Sequence, residues 1–384
     1  MTEFRFLEPV DALYLRGNRL FGGPGEYSES LMPPWPSVAA GALRTRILAD
    51  NHVDFTRYAQ GVFSDSPILD IIGSPREPGK FRLNWFSLGS IHGDHAEIYF
   101  PLPADMVAME ENTTPQFIFP HSLPKMLLSS YPLSKLPVLK TARPSKLRTD
   151  LWLTHEGLNT YLAGSLPQGR HIVNTAELWS HDDRVGIALR RTARTTEQGR
   201  IYTSETVLMK EGVGFIVGVK GAEGFLPDSG LIRLGGDGRG AVIKRCAFDL
   251  PQPPWDQIEE SGSFKLMLVT PALFPQGWLP PGTRRDGDQF LWSYEGCRAR
   301  LVAACFGRAI VISGWDLAAR RPKQAFLAVP AGSVYWFEGL EGDLGSLKAL
   351  QTKGLWPQEI PEPLKMRKVE GFNSVLVALW PENI

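Results

Sequence analysis

The sequence is poor in cysteine and carries no excess of either charge. Cys246, Cys297 and Cys305 are its three cysteines in 384 residues. An odd count with no C-x-x-C pair argues against a disulfide framework or a structural zinc site. Lys plus Arg and Asp plus Glu both number 41, for a formal net charge of +0. That argues against a freestanding nucleic-acid binder working through bulk positive charge, but leaves room for a local basic groove. No stretch approaches the ~20 apolar residues that cross a membrane. The opening MTEFRFLEPVDALYLRGNRLF lacks the basic start, apolar run and small-residue cleavage site of a secretory leader. The expected location is cytoplasmic, with no membrane partner.

Signatures of catalysis and of metal binding are also missing. Neither H-E-x-x-H nor G-x-S-x-G occurs, although triads assembled from distant positions leave no local motif. Seven histidines are present, and His92-Gly93-Asp94-His95 has the look of a short metal clamp. It falls at an expected hairpin turn with no third ligand in reach, so neither a metal nor a cofactor is expected.

What the chain does have is glycine and proline, 38 and 31 residues, dispersed rather than repeated. They punctuate many short segments rich in β-branched and aromatic residues. The reading is a strand over 4–16, a loop, and a helix N-capped by Ser37 and running through SVAAGALRTRILAD. A strand pair over 81–91 and 96–107 turns through residues 92–95. Helical pieces and loops follow (LPKMLLSSY, LTHEGLNTYLAG), and then a long hairpin over about 184–208 with its tip near 195–199. Strands dominate from GFIVGVKG to FNSVLVALW. The expected fold is α+β with antiparallel sheets in two halves, residues 1–212 and 213–384, dividing near 211–214. The first half would carry a mixed helical insertion at about 108–170.

LIRLGGDGRGAVI (231–243) raises the functional question. Gly235 and Gly240 have P-loop spacing, but Ala241 and Val242 stand where lysine and a hydroxyl are needed. Gly236-x-Gly238-x-Gly240 lacks the G-x-G-x-x-G spacing of a dinucleotide site. Gly235-Gly236-Asp237 resembles a metal-bearing carboxylate turn, but Gly238 leaves it one carboxylate. A tight hairpin turn stays open beside a bare backbone that another backbone can approach, with Arg239 as a phosphate fork. Arg16-Gly17-Asn18-Arg19 ends the first strand, and a helix N-terminus near Ser37, with Arg44 and Arg46 on that helix, favours an anion. KLPVLKTARPSKLR (135–148) holds Lys135, Lys140, Arg143, Lys146 and Arg148 with no acid; Arg190, Arg191 and Arg194 form a second basic run. Such runs suit single-stranded RNA, although most are solvated faces.

Taken in order, FRFLEPVDALYLRGNRLFGG, PPWPSVAAGALRTRIL, RVGIALRRTARTTEQGRIYTSE, LIRLGGDGRGA, LVTPALFPQGWLP, ISGWDL, VPAGSVYWF and GFNSVLVALW resemble the third RAMP-superfamily subunit of type III-B CRISPR (Cmr) effector complexes. The resemblance spans nearly the whole chain and is weakest over 51–81 and 112–169. It implies two ferredoxin-like (RRM-like) halves. It also implies a non-catalytic, RNA-binding subunit that holds the 5′ handle of the crRNA in antiviral defence. The implied partners are the crRNA, the large polymerase-like subunit, the adjacent backbone RAMP subunit and, indirectly, target RNA. Carried onto this chain, the handle-facing residues are Arg16, Asn18, Arg19, Ser37 and Arg44, with Gly235, Gly236 and Arg239 in the glycine loop. Lys140, Arg143 and Lys146 add the basic patch. The turn at Gly371 is present, but Phe372-Asn373-Ser374 is less glycine-rich than the pattern. Competing readings are the handle-capping RAMP subunit of type III-A complexes, a metal-independent RAMP endoribonuclease using His52, and a small-molecule enzyme.

Overall fold

Proline and small residues begin the first helix, α1 (Pro36–Asp50). Pro36 occupies the first helical position, where its missing N–H costs nothing. Ala39, Ala40, Leu43, Ile47 and Leu48 recur at helical spacing and are buried. Asn51 closes the helix by donating its side-chain amide to the Ile47 carbonyl at 2.8 Å. Trp35 stands at the N-cap without a side-chain hydrogen bond. Ser37, expected there, instead lies inside the first turn, because Pro36 starts the helix one residue earlier.

The computed structural model describes residues 1–17, 27–62, 67–111, 114–124, 129–141, 143, 145–189 and 196–380. The labelled strands are β1 (Glu3–Pro9), β2 (Arg82–His92), β3 (His95–Pro101), β4 (Val213–Lys220), β5 (Ser229–Arg233) and β6 (Gly240–Arg245). They continue with β7 (Phe264–Leu268), β8 (Cys297–Cys305), β9 (Val334–Gly342) and β10 (Val375–Leu379). A second helix, α2 (Leu344–Lys353), links β9 toward β10.

An eight-stranded sheet runs, edge to edge, Ile172–Asn174, Leu151–Leu153, β3, β2, β4, β1, β6, β5. A six-stranded sheet runs Thr283–Asp286, Gln289–Tyr294, β8, β9, β7, β10. Their ladders are antiparallel, as expected for an α+β chain with antiparallel sheets. Four adjacent strands repeat one order in both. Numbered along the chain they lie 4-1-3-2, as β6-β1-β4-β2 and as β10-β7-β9-β8. The two sheets part after Arg245. The expected division near 211–214 therefore falls at the turn and first residues of β4, inside the first sheet, since β4 pairs with both β1 and β2.

Alternation along the strands sorts side chains into three cores. Leu7, Phe215, Val217 and Ile243 pack with Leu43 and Ile47 of α1 on one face of the first sheet. Phe6, Trp85, Ile98 and Ile216 from its other face meet Met267, Trp336, Leu376 and Ala378 of the second sheet. The second sheet's remaining face joins Phe264, Leu266 and Val377 to Leu347 and Leu350 of α2. Successive residues such as Phe6 and Leu7, or Leu376 and Val377, thus serve different cores, as the two-residue period requires.

The first strand is shorter than the expected 4–16: it ends at Pro9, and Arg16 forms an isolated bridge with Ser30. The expected strand pair and its turn are present as β2 and β3, but the second strand ends at Pro101 and not 107, and Met106–Val107 pairs instead with Gln116–Phe117. The helix in LTHEGLNTYLAG spans His155–Leu162, with Thr154 accepting from the Gly157 amide at 3.2 Å. In LPKMLLSSY, residues 125–128 lie outside the described residues. The long hairpin pairs Trp179–Leu189 with Thr196–Met209.

Candidate functional site

Beyond β1 the chain turns at Asp11, whose carboxylate accepts the Ala12 amide at 2.6 Å. Leu13 exchanges backbone hydrogen bonds with Val207 at 2.8 and 3.0 Å, and the Leu15 carbonyl accepts from Leu31. Residues 11–16 are therefore stitched beside the long hairpin. On this segment rests the glycine-rich turn between β5 and β6. The Gly236 amide donates to the Tyr14 carbonyl at 2.8 Å, and the Leu234 amide closes the turn on the Arg239 carbonyl at 2.8 Å.

That contact changes the meaning of the bare backbone. Gly235 has φ +79°, and a Cβ there would lie 2.7 Å from the Tyr14 carbonyl oxygen. The backbone it approaches is the chain's own, so the missing side chain at Gly235 has a structural cause within the subunit. Gly236 is less confined: its Cβ would meet Tyr14 Cβ at 3.4 Å, an ordinary contact. Asp237 and Gly238 complete the turn with φ 54° and 70°.

The docking gathers charged side chains distant in sequence. Arg16 lies 3.5 Å from the Asp237 carboxylate. Arg239 donates to Asp11 Oδ2 at 2.6 Å and sits over the Tyr14 ring at 5.2 Å. The Tyr14 hydroxyl accepts from Ser204 of the hairpin at 3.4 Å. Arg184, held by Asp182 at 2.9 Å, adds its field at Asp11. The Ala12 amide, followed by the Arg239 and Arg184 cations, holds the Asp11 carboxyl below its usual range. A guanidinium's planar donors can exchange a carboxylate for a phosphate oxygen. The surface is thus suited to an oxyanion.

Of the two helix arginines, Arg46 meets the edge strand β5: it donates to the Leu231 carbonyl, and to Asp50 at 2.7 and 2.8 Å. Arg44 instead donates to the Ile72 carbonyl at 3.1 Å, beside Tyr58. Asn18 and Arg19 lie outside the described residues, as do Arg190, Arg191 and Arg194. Ser37 is half-buried in the first turn of α1.

The basic run 135–148 is separate. Lys135 pairs with Glu338 and Lys146 with Glu110. Arg148 is held by Asp150 and Asn174 at 2.7 Å each. Lys140 and Arg143 are exposed, with no ion-pair partner among the described residues. This run precedes Leu151–Leu153, five strand intervals from β6, or about 24 Å at ~4.8 Å per interval. Gly371 is also elsewhere: its turn is buried against Leu83, and Asn373 beside it binds the Leu273 amide and the Leu355 carbonyl. His52 stands exposed just past α1 with φ 55°.

Asp11, Tyr14 and Arg184 belong to the cluster but carry no motif of their own. Their one signal is position beside segments that the fold later stitches together.

By sequence profile, the chain falls among CRISPR-associated proteins. It belongs to the CRISPR-associated protein (Cas_Cmr3) family, whose profile matches residues 5–380. It is therefore a subunit of a type III-B CRISPR (Cmr) effector, as the sequence resemblance implied. No curated protein matches it. Among solved structures, a chain of the type III-B Cmr-beta complex bound to cognate target RNA is 14% identical. That alignment covers 87% of this chain and 86% of the other, with a TM-score of 0.45. A chain of the same complex bound to cognate target RNA and AMPPnP, in state 1, is also 14% identical, with coverages of 97% and 96% and a TM-score of 0.45. No helix among the described residues is long and apolar enough to cross a membrane.

Proposed function

We propose that this subunit is a non-catalytic RNA scaffold. It holds the 5′ handle of the crRNA and docks both the large polymerase-like subunit and the adjacent backbone RAMP subunit. Target RNA meets it indirectly. The observation that carries the reading is the convergence of Arg16 and Arg239 at one glycine turn, in a chain whose overall charge is balanced. RNA ends are gripped by arginine forks, backbone contacts and stacking on aromatic side chains. Tyr14 supplies a ring and the arginines supply the forks. The repeated 4-1-3-2 strand order supports reading each half as ferredoxin-like, with α1 in the first and α2 in the second.

The alternative of a metal-independent nuclease requires a general base within reach of the scissile phosphate. The glycine turn has no histidine, which favours the scaffold.

The direct test is cross-linking of a 4-thiouridine-substituted 5′ handle in the assembled effector. Adducts on peptides containing residues 14–16 or 235–239 are expected. Adducts confined to other subunits would overturn the reading. Cleavage of repeat RNA without metal, abolished by His52→Ala, would replace it with the nuclease.

A further inference from the structure

A β-ribbon over residues 310–328 stands out from the second half. Ile310–Ile312 pairs with Phe326–Ala328, placing Val311 opposite Leu327. Farther out, Trp315 lies opposite Pro322 and Asp316 opposite Arg321. The inner face is apolar and covered: Ile312 and Ala328 pack with Trp35, Leu273, Trp356 and Phe372.

A buried ionic clamp fixes the ribbon from below. Arg367 donates to the Ser313 carbonyl at 2.7 Å, to the Gln324 carbonyl at 3.2 Å and to Glu370 at 3.0 Å. Lys323 of the ribbon reaches the other Glu370 oxygen at 2.5 Å. Arg367 and Glu370 are both buried. Burying charge is costly even when paired, so this clamp is better understood as holding the ribbon in place than as stability alone.

The outer face breaks the usual alternation, in which a sheet's solvent side is polar. Trp315 is 52% exposed and Leu327 70%, and Leu317, in the turn that follows Asp316, is 78% exposed. Large apolar side chains left exposed along one short ribbon mark an interaction surface. Beside them stand Arg320 and Arg321, in no ion pair among the described residues, against a single ribbon carboxylate, Asp316. Asp316 is engaged in turn by the Ala319 amide at 2.9 Å.

We propose that this ribbon is a protein-docking arm. Its occupant is a protein surface with an apolar centre and a carboxylate-bearing edge that meets Arg320 and Arg321. Three arguments favour protein over RNA. Bases stack on aromatic rings, whereas the most exposed side chains here are leucines. Trp and Arg together are the side chains that anchor protein interfaces. A clamped ribbon also loses little conformational freedom on association. The arm lies outside the glycine-turn site and does not depend on the handle-binding reading.

The test places the photoreactive residue p-benzoylphenylalanine at position 317 of the full chain, irradiates the assembled effector and sequences the cross-linked species. Adducts on one other protein subunit, at a segment bearing Asp or Glu beside apolar residues, are expected. Leu317→Asp, Leu327→Asp and Arg321→Glu should each lower the yield of that subunit in the purified assembly by at least about tenfold, the loss of an interface anchor. The melting temperature of the isolated chain should stay unchanged, because these side chains face solvent. Adducts on RNA, on a second copy of this chain, or on nothing would overturn the proposal. So would full assembly by Leu317→Asp. Handle affinity, measured on the same variants, should not move; its loss elsewhere would count against the glycine-turn site alone.

Discussion

Arg239 and Asp11 are 228 residues apart along the chain and 2.6 Å apart in the fold. Their pairing joins the glycine turn to the segment it rests on, and Asp11 occupies the guanidinium that an RNA phosphate would need. If the site holds RNA, Asp11 competes with it. Asp11→Asn should therefore tighten handle binding by the assembled effector and steepen its salt dependence by ~0.7 for each additional phosphate bound. Arg239→Ala should weaken binding and flatten the slope by about the same amount. Anisotropy titrations at several salt concentrations check both. Weaker binding by Asp11→Asn would show that the carboxylate positions Arg239 instead of competing. The Asp11 pKa is depressed from 3.8, so the carboxylate is charged throughout neutral and mildly acidic pH. Its competition should stay constant there and fade when pH falls through the lowered value.

Gly235 and Gly236 separate folding from binding. Gly235→Ala forces a Cβ against the Tyr14 carbonyl in left-handed backbone, which costs an L-residue about 1–2 kcal/mol before any clash is counted. It should lower the urea midpoint of the isolated chain. Gly236→Ala makes ordinary contacts and should be close to neutral in the same titration. Equal destabilisation by both would mean that the turn is confined by more than Tyr14.

Between the two sheets, Lys265 Nζ lies 2.8 Å from Asp105 Oδ2, and the Tyr161 hydroxyl donates to Oδ1 at 2.8 Å. Burial pushes the Lys265 pKa down, opposed by Asp105, and pushes Tyr161 far up. Asp105→Ala leaves an uncompensated buried cation and should cost about 3–5 kcal/mol. The double variant Asp105→Leu/Lys265→Met should recover much of that loss. Denaturant unfolding of the three chains decides it, and no recovery would locate the cost in Tyr161.

Asp343 caps α2, accepting the Gly345 and Ser346 amides at 2.9 and 3.1 Å. The Gly345 amide, with help from the Ser346 hydroxyl, lowers its pKa from 3.8. A depressed carboxyl contributes stability above its unfolded pKa and loses it as pH falls through the folded value. Asp343→Asn keeps a capping oxygen but not the charge. Its stability should therefore fall less steeply with acid than the wild type below about pH 4. Parallel acid curves would remove Asp343 from that limb.

The local vocabulary of the fold was legible wherever one periodicity governed a segment. In Val213–Lys220 every residue but Lys220 is buried, and β2 and β3 turn at the predicted glycine. The first helix was legible in register but not at its start: Ser37 is a good capping residue by type, yet Pro36 fixes the first helical φ before it. The first strand was overestimated because residues 10–16 are as apolar as a strand. They pair with two different neighbours across long sequence separations, which no local pattern encodes.

The site divides in the same way. Sequence by itself determined which groups are available: glycines at 235, 236 and 238, arginines at 16 and 239, and balanced total charge, since backbone freedom and side-chain chemistry are properties of single residues. Tertiary structure alone decided what each of them meets. Packing against Tyr14 consumes the freedom of Gly235, while the surrounding fold turns Arg44 toward Ile72 and Arg46 toward β5 and sets Asp11 against Arg239. Those outcomes depend on contacts that exist only once the strand order 4-1-3-2 has brought the two ends of the first sheet's chain together.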